Sequence, residues 1–450
     1  MREPPFRPAK ADIGHLSKGG SFMSDRNLPV RPNLDQLKNQ ARDLLRAIRK
    51  GEPSAIEEFN TYHPKLLAPG EVKLADAQLA LARSYQAPSW ARLVQACKLV
   101  DAIWEDDIET VRDLVTKNPH LIHESALIRK SNWGAPMSYA ANLGRDEIIE
   151  MLHKMGATDH MHALDRAALQ SKVSTAKLLH KMIGSPIPPP DSLGGPAYTL
   201  SVPGTQLMLE MGVKAVGENG ERLAPVAVVL ETDSRDPAAK HRILGLYEEH
   251  GLEYTDTPVM ALHRGRIDLL EKHLRLDPDL LYRTFTHEDI YPPEFGCHDV
   301  VLATQGTPLN GTTLLHMCVD YDEMEIAQWL LRCGADVNAR AAVDKDGFGG
   351  HTALFNTVMS QPNFWMNFQG RPQAAPFTRL LLDHGAEVSV RASLRKKLHP
   401  GYAPRFDVDN WYEYRDVTAL EWGEQFHARV FVSEPAMEMI RECSGRNVDS

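Results

Sequence analysis

The sequence predicts an all-α fold: a solenoid of stacked helix pairs with short hairpin fingers, closed at its N-terminus by a helical cap. Three observations lead there. The chain has 450 residues, too many for one ordinary core but no obstacle to a repeat array, in which no single core has to grow. Short apolar patterns with helical spacing recur along residues 100–445. Residues 23–98 carry helical patterns of a different kind.

Residues 1–22 are polar, with Gly and Pro scattered through them. They read as disordered or as an over-called start, with Met23 as the natural first residue. Residues 23–98 read as a capping module. LDQLKNQARDLLRAIRKGEPSAIEEFNTYHP spells a helix pair with apolar residues at 34, 37, 41, 44, 45 and 48. LADAQLALARSYQAPSWARLVQA, 74–96, spells a second pair broken at Pro88. A solenoid end has to cover its exposed apolar face, which gives such a module its physical purpose.

Residues 99–184 hold repeats at 102–122, 133–157 and 163–184. SPIPPPDSLGGP, 185–196, is too rich in proline and glycine to be expected as helix and reads as a linker. Residues 197–283 are degenerate repeats: 194–215 and 222–252 fit by position only, and 259–281 fits better. Residues 284–450 hold the clearest copy, GTTLLHMCVDYDEMEIAQWLLRCGADVNAR at 311–340. Leu314, Leu315 and Cys318 mark its first helix, and Ile326, Trp329 and Leu330 its second. Gly334 follows where a left-handed residue ends a helix.

This copy closely resembles the ankyrin repeat, which opens G-x-T-P-L-H and closes L-L-x-x-G-A-D-V-N-A. Gly311, Thr313, Leu315 and His316 match the opening, with Leu314 in place of the proline. Leu330, Leu331 and Gly334 through Ala339 match the close. The halves 350–359 and 377–391 resemble one more repeat, and 417–443 the last. About eight or nine units are expected in all. The LKxQARxLL, HP, LADAQLALAR and SW elements of residues 23–98 resemble a helical module found at the front of bacterial ankyrin arrays.

The resemblance implies fingers projecting on one side and recognition of a protein partner through those fingers and the concave helix surface. It implies that His316 ties finger to helix start by hydrogen bonds. His351, at the variable position before Thr352, is expected at the surface. Cys318 and Cys333 are expected as buried thiols.

Three fingers are oversized: 284–310, 339–350 and 390–416. Stacking should set them side by side. A fourth insertion, 360–376, emerges at the opposite end of its helix pair. HPGYAPRFDVDNWYEYRD, 399–416, packs Tyr402, Phe406, Trp411, Tyr412 and Tyr414 among acidic residues. Disordered segments are poor in aromatics, so an ordered loop is expected. Its rings suit the loop's own small core, a partner surface or a ligand pocket. The candidate binding residues are Trp411, Tyr412, Tyr414, Tyr402, Asp407 and Asp409, with His298 and Asp299 from the first oversized finger.

The expected function is a binding scaffold for a protein partner. The alternative is a ligand-binding or catalytic array with an aromatic and acidic pocket built from the insertions 284–310, 339–350 and 390–416. Carbohydrates are one ligand class such a pocket suits, and the carboxylates of Asp407, Asp409, Glu413 and Asp416 could do acid–base work on a glycoside. THEDIYPPEFGCHD, 286–299, holds ligand-type residues but no HExxH and no second cluster, so a solvated polar loop is expected. VDKDGFGG, 343–350, lacks the closing glutamate of a calcium loop. Neither metal nor cofactor is expected. Cys297 would need His287 or His298 as a base to act as a nucleophile.

The net charge of −10, with RKK at 395–397 as the densest basic run, argues against nucleic acid. Five cysteines without a CxxC point to a reducing compartment. The sequence has no apolar run of membrane-spanning length and no P-loop, G-x-G-x-x-G after a strand, or G-x-S-x-G. A cytoplasmic location without membrane contact is expected.

Overall fold

The computed structural model describes residues 26, 28–128, 131–232, 234–297, 306–359, 374–396, 411–427 and 429–446. The described residues fall into two compact units, one up to Ile187 and one from Pro188 onward. Both are built chiefly from paired helices.

The N-terminal unit opens with the helices Leu34–Arg49 and Pro53–Tyr62. Leu37, Ala41, Leu44 and Ile48 recur every three or four residues and are the buried face of the first. Asn33 caps it, its side chain accepting from the Gln36 amide at 2.9 Å. Leu44, Ile48, Ala55, Phe59, Val72, Ala77 and Ala80 make one core cluster with the helix Leu74–Ser84. The chain breaks at Pro88, and Ser89 caps the helix Trp90–Trp104. Helix pairs follow, Pro136–Leu143 with Asp146–Lys154 and His160–Leu169 with Val173–Met182.

In this unit a serine helps tie one helix pair to the next. Ser138 Oγ donates to the Asp159 carboxylate and lies 2.9 Å from His162 Nδ1. A serine, a histidine and an aspartate therefore meet, yet the group is no catalytic relay. The aspartate touches the serine instead of orienting the histidine, and Ser138 has no exposed surface.

The stretch expected as linker is partly helical in the C-terminal unit. Pro190–Leu193 forms a 3-10 turn and Gly194–Thr199 a helix. Proline fits a first turn, where its missing N–H costs nothing. Val226–Glu231, Pro237–Glu249, Pro258–His263 and Ile267–Leu276 are further helices. Leu314–Tyr321 pairs with Met324–Arg332, and every residue of the former is buried. Gly334 follows in the left-handed region, φ 96°. Val202–Glu210, Ala353–Met359, Pro376–Asp383, Ala419–Gln425 and Glu434–Arg446 are also helical.

The all-α expectation needs one correction. β1 (Ala392–Lys396) and β2 (Tyr412–Val417) pair antiparallel, with Leu394 opposite Tyr414 and Lys396 opposite Tyr412. Backbone hydrogen bonds also tie distant segments of this unit together. Gly311 N–H donates to the Phe285 carbonyl and Ala342 N–H to that of Gly311, both at 2.7 Å. Gly349 N–H donates to Ser393, also at 2.7 Å. Gly349 has φ 123°, and a Cβ there would stand 2.0 Å from the Ala342 oxygen, so no side chain fits.

Among the described residues, no helix is long and apolar enough to cross a membrane.

Candidate functional site

Residues 344–348 and the strands β1 and β2 meet around Arg395. Its guanidinium donates to Asp344 at 2.9 Å and Asp346 at 3.1 Å. It lies 4.8 Å from the Phe348 ring centroid and 5.7 Å from that of Trp411. Arg415 covers Phe348 at 3.8 Å. Phe348 is buried, whereas Trp411 keeps 52% of its surface exposed. The result is a cation–aromatic stack with an open indole at its edge.

The turn below this stack uses its own carboxylate. Asp344 accepts from the amides of Phe348 and Asp346, both at 2.9 Å. The Phe348 amide first, then that of Asp346 and the Arg395 charge, holds Asp344 below the usual carboxylate range. Asp344 Oδ1 is thus taken up by the turn and Oδ2 by Arg395.

Tyr412 and Tyr414 face another way. Tyr412 stacks on His427, ring centroids 3.6 Å apart. Tyr414 is buried against Trp422 at 4.7 Å, edge to face. Its Oη accepts from the His427 amide at 3.1 Å and lies 2.6 Å from His427 Nδ1. Burial pushes His427 down to about 4. These two tyrosines serve the inner packing of the hairpin, and Trp411 is the ring of the three left open. Tyr402, Asp407, Asp409, His298 and Asp299 lie outside the described residues, as do most of the insertion 360–376 and the carboxylate spacing a glycosidase would need.

Residues 286–297 put their polar groups into local structure. Thr286 and Asp289 cap the short helix His287–Ile290, with Asp289 accepting the Thr286 amide at 2.8 Å. Among the described residues, no group of three or more His, Cys, Asp or Glu could hold a metal ion. Cys297 is buried, and burial, with Glu231 nearby, pushes its thiol well up, away from a nucleophilic thiolate. Cys318 is buried as expected, but Cys333 is exposed, because it caps the second helix one turn past the buried stripe.

His316 of the clearest repeat and His351 beyond it are both interior. His316 Nδ1 lies 2.9 Å from Thr313 Oγ1, and its Nε2–H donates to the His351 carbonyl at 3.1 Å. His351 corrects the surface expectation: it is 1% exposed, and its Nε2–H donates to the Pro308 carbonyl at 3.0 Å. Its ring meets that of His316 edge to face, centroids 5.6 Å apart. Burial pushes His316 to about 4. Burial, then the neighbouring His316, pushes His351 to about 3.

A buried charged cluster escaped the sequence reading. Arg235 pairs with Asp320 at 3.1 Å, and Lys240 with Glu323 at 2.8 Å. These four side chains are at most 6% exposed. His241 Nε2 also lies 2.8 Å from Glu323. Lys240 Nζ and the Arg235 guanidinium stand 4.5 and 5.2 Å from the Tyr321 ring centroid, and the Tyr321 hydroxyl donates to that of Tyr291 at 2.5 Å. Lys396, at the end of β1, is buried, and desolvation lowers it to about 8 despite the pull of Asp320. One clue was available. The run Asp320-Tyr321-Asp322-Glu323 puts carboxylates where the helix turns, and Asp322 adopts φ 63° there, in the region glycine usually supplies. Arg235 and Lys240 sit in a segment whose repeat pattern is too weak to place them.

The family model described as ankyrin repeat matches residues 310–342, so an ankyrin repeat is present there. Solved structures that align with the chain include two ankyrin repeat domains. One is the human ASB11 ankyrin repeat domain, at 16% identity, covering 56% of this chain and 99% of that one, with a TM-score of 0.26. The other is the ankyrin repeat domain of Bcl-3, titled a unique member of the IkappaB protein family. It is 15% identical and covers 62% of this chain and 97% of that one, with a TM-score of 0.21. No curated protein matches the chain.

Proposed function

We propose that the chain is a protein-binding scaffold whose partner docks on the edge of its C-terminal fingers, with Trp411 as the anchor. The observation that carries this is the half-exposed indole of Trp411 beside an arginine that is itself held by Asp344 and Asp346. A large ring pre-set in position loses little conformational freedom on binding, and such residues dominate interface energetics. Around it, Arg415, Glu413 and Asp346 offer a polar rim. An ankyrin repeat within the same unit accords with a binding role.

Trp411→Ala should abolish capture of a partner that wild-type bait retains, a loss of about 2 kcal/mol or more in affinity. Arg112→Ala, an exposed change in the other unit, should leave capture intact. Equal recovery on wild-type and Trp411→Ala baits would remove Trp411 as the anchor.

A second reading, a small-molecule site, is favoured by buried Lys396 together with Arg235 and Asp320. Burying charge is costly, and ligand recognition is one reason such groups persist. Thermal-shift screening of sugars and anionic metabolites tests it. A ligand at ten times its Kd stabilises by about 1.4 kcal/mol, a shift that Lys396→Met should lose. A shift that survives in this variant would place the ligand elsewhere.

A further inference from the structure

The loop joining the helices Asp146–Lys154 and His160–Leu169 brings two histidines together. His153 lies in the last turn of the first helix, and His160 opens the second. His153 Nδ1 is 2.8 Å from His160 Nε2. The rings meet edge-on at 80°, centroids 4.9 Å apart. His153 is exposed and His160 half-buried.

The backbone between them is pinned. Gly156 N–H donates to the His153 carbonyl and Ala157 N–H to that of Leu152, both at 3.0 Å. At the other end, Ala163 N–H donates to the Asp159 carbonyl at 2.9 Å, and the Asp159 carboxylate accepts the Ser138 amide at 3.1 Å. The Cα positions of both histidines are thus set by the fold, and only side-chain rotation is left free.

Each neutral imidazole has one lone pair, and the observed contact uses one nitrogen of each ring. Two imidazoles at about 2.0–2.1 Å from one ion hold their nitrogens about 2.9 Å apart at a right angle and about 3.3 Å apart at the tetrahedral angle. The 2.8 Å separation is therefore nearly that of a cis pair in a tetragonal site. Turning both lone pairs outward needs only rotation of surface side chains.

We propose that His153 and His160 form a two-imidazole chelate for a borderline divalent transition ion, with copper(II) and nickel(II) ahead of zinc(II) and water in the remaining positions. Imidazole nitrogen suits these ions, and a right-angled cis pair suits the tetragonal ones. Magnesium and calcium take oxygen ligands and are excluded. The ion would clamp the ends of two successive helix pairs and so stabilise the N-terminal unit.

The test is calorimetric titration of the full chain, first stripped with chelator, against nickel(II). Wild type is compared with His153→Gln, His160→Gln and the double variant. The chain has 19 histidines, so the reading is the difference between proteins. Wild type should bind one ion at least about tenfold more tightly than any site in either single variant, because the second imidazole binds intramolecularly. Its melting temperature should rise with nickel(II), and that of the double variant should not. Identical isotherms for wild type and the double variant would overturn the site. So would a single variant with wild-type affinity, or displacement of nickel(II) by equimolar magnesium(II). Matching far-UV circular dichroism without metal shows that the variants fold.

Discussion

Replacing Glu323 by alanine should destabilise the C-terminal unit by about 3–5 kcal/mol. Glu323 is 3% exposed as a side chain, and its carboxylate pairs with Lys240, which is 4% exposed. Burial opposes the charged form of Glu323. Lys240 and His241 more than offset it, so its carboxyl stays below the usual range. Removing the carboxylate strands an ammonium group in the interior beside the Tyr321 ring. The charge then has to be released or hydrated, and either route disrupts the packing of Pro237–Glu249 against the turn after Leu314–Tyr321. The double change Lys240→Met with Glu323→Leu removes both charges and keeps the volume. It should recover most of the loss, because an apolar pair has no desolvation to offset. Denaturant unfolding monitored by near-UV circular dichroism measures both variants. A loss below about 1 kcal/mol in Glu323→Ala would mean that the pair is already solvated.

Between pH 6.5 and pH 4.5 the C-terminal unit should lose stability, driven by its depressed histidines. His316 and His351 stand at about 4 and about 3 in the fold, against about 6.5 in an unfolded chain. A histidine depressed in this way binds its proton more readily when unfolded. Its contribution is therefore fully present above about pH 6.5 and is lost as the pH falls toward the folded value. At pH 4.5 each of the two should have lost roughly 2 kcal/mol. His263, pushed well down by burial, and His427, at about 4, act in the same direction. Glu323, with its depressed carboxyl, adds its own loss only below about pH 4.5. Asp322, raised to about 6 by burial, works the other way: the fold takes up its proton first, which offsets part of the loss inside this window. His351→Gln keeps a donor for the Pro308 carbonyl and removes one titrating group. Its stability should fall with about one proton less per pH decrement than wild type. An unchanged slope would show that His351 is already open to water.

Much of the helical framework could be read directly from residue order. The 3.6-residue spacing of Leu37, Ala41, Leu44 and Ile48, the break at Pro88 and the turn at Gly334 are local choices. Each is decided by neighbours a few residues away. The motif 311–340 and the tie made by His316 belong to the same class, because a repeat carries its own packing instructions in each copy.

Other features depended on what the chain meets at a distance. His351 is interior because the Pro308 carbonyl, 43 residues away, takes its N–H. β1 and β2 are separated in sequence by 397–411, and Gly349, more than 40 residues before β1, bonds to its other edge. Of the three rings in Trp411, Tyr412 and Tyr414, one points out and two point in, as the pairing register and His427 dictate. The charged cluster is the strongest case. Arg235 and Asp320 lie 85 residues apart, and Lys240 and Glu323 are nearly as far apart, in segments with no shared pattern. A single sequence records which charges exist. Their partners are set by the three-dimensional packing, because a buried charge is stable only where the fold has already placed its opposite.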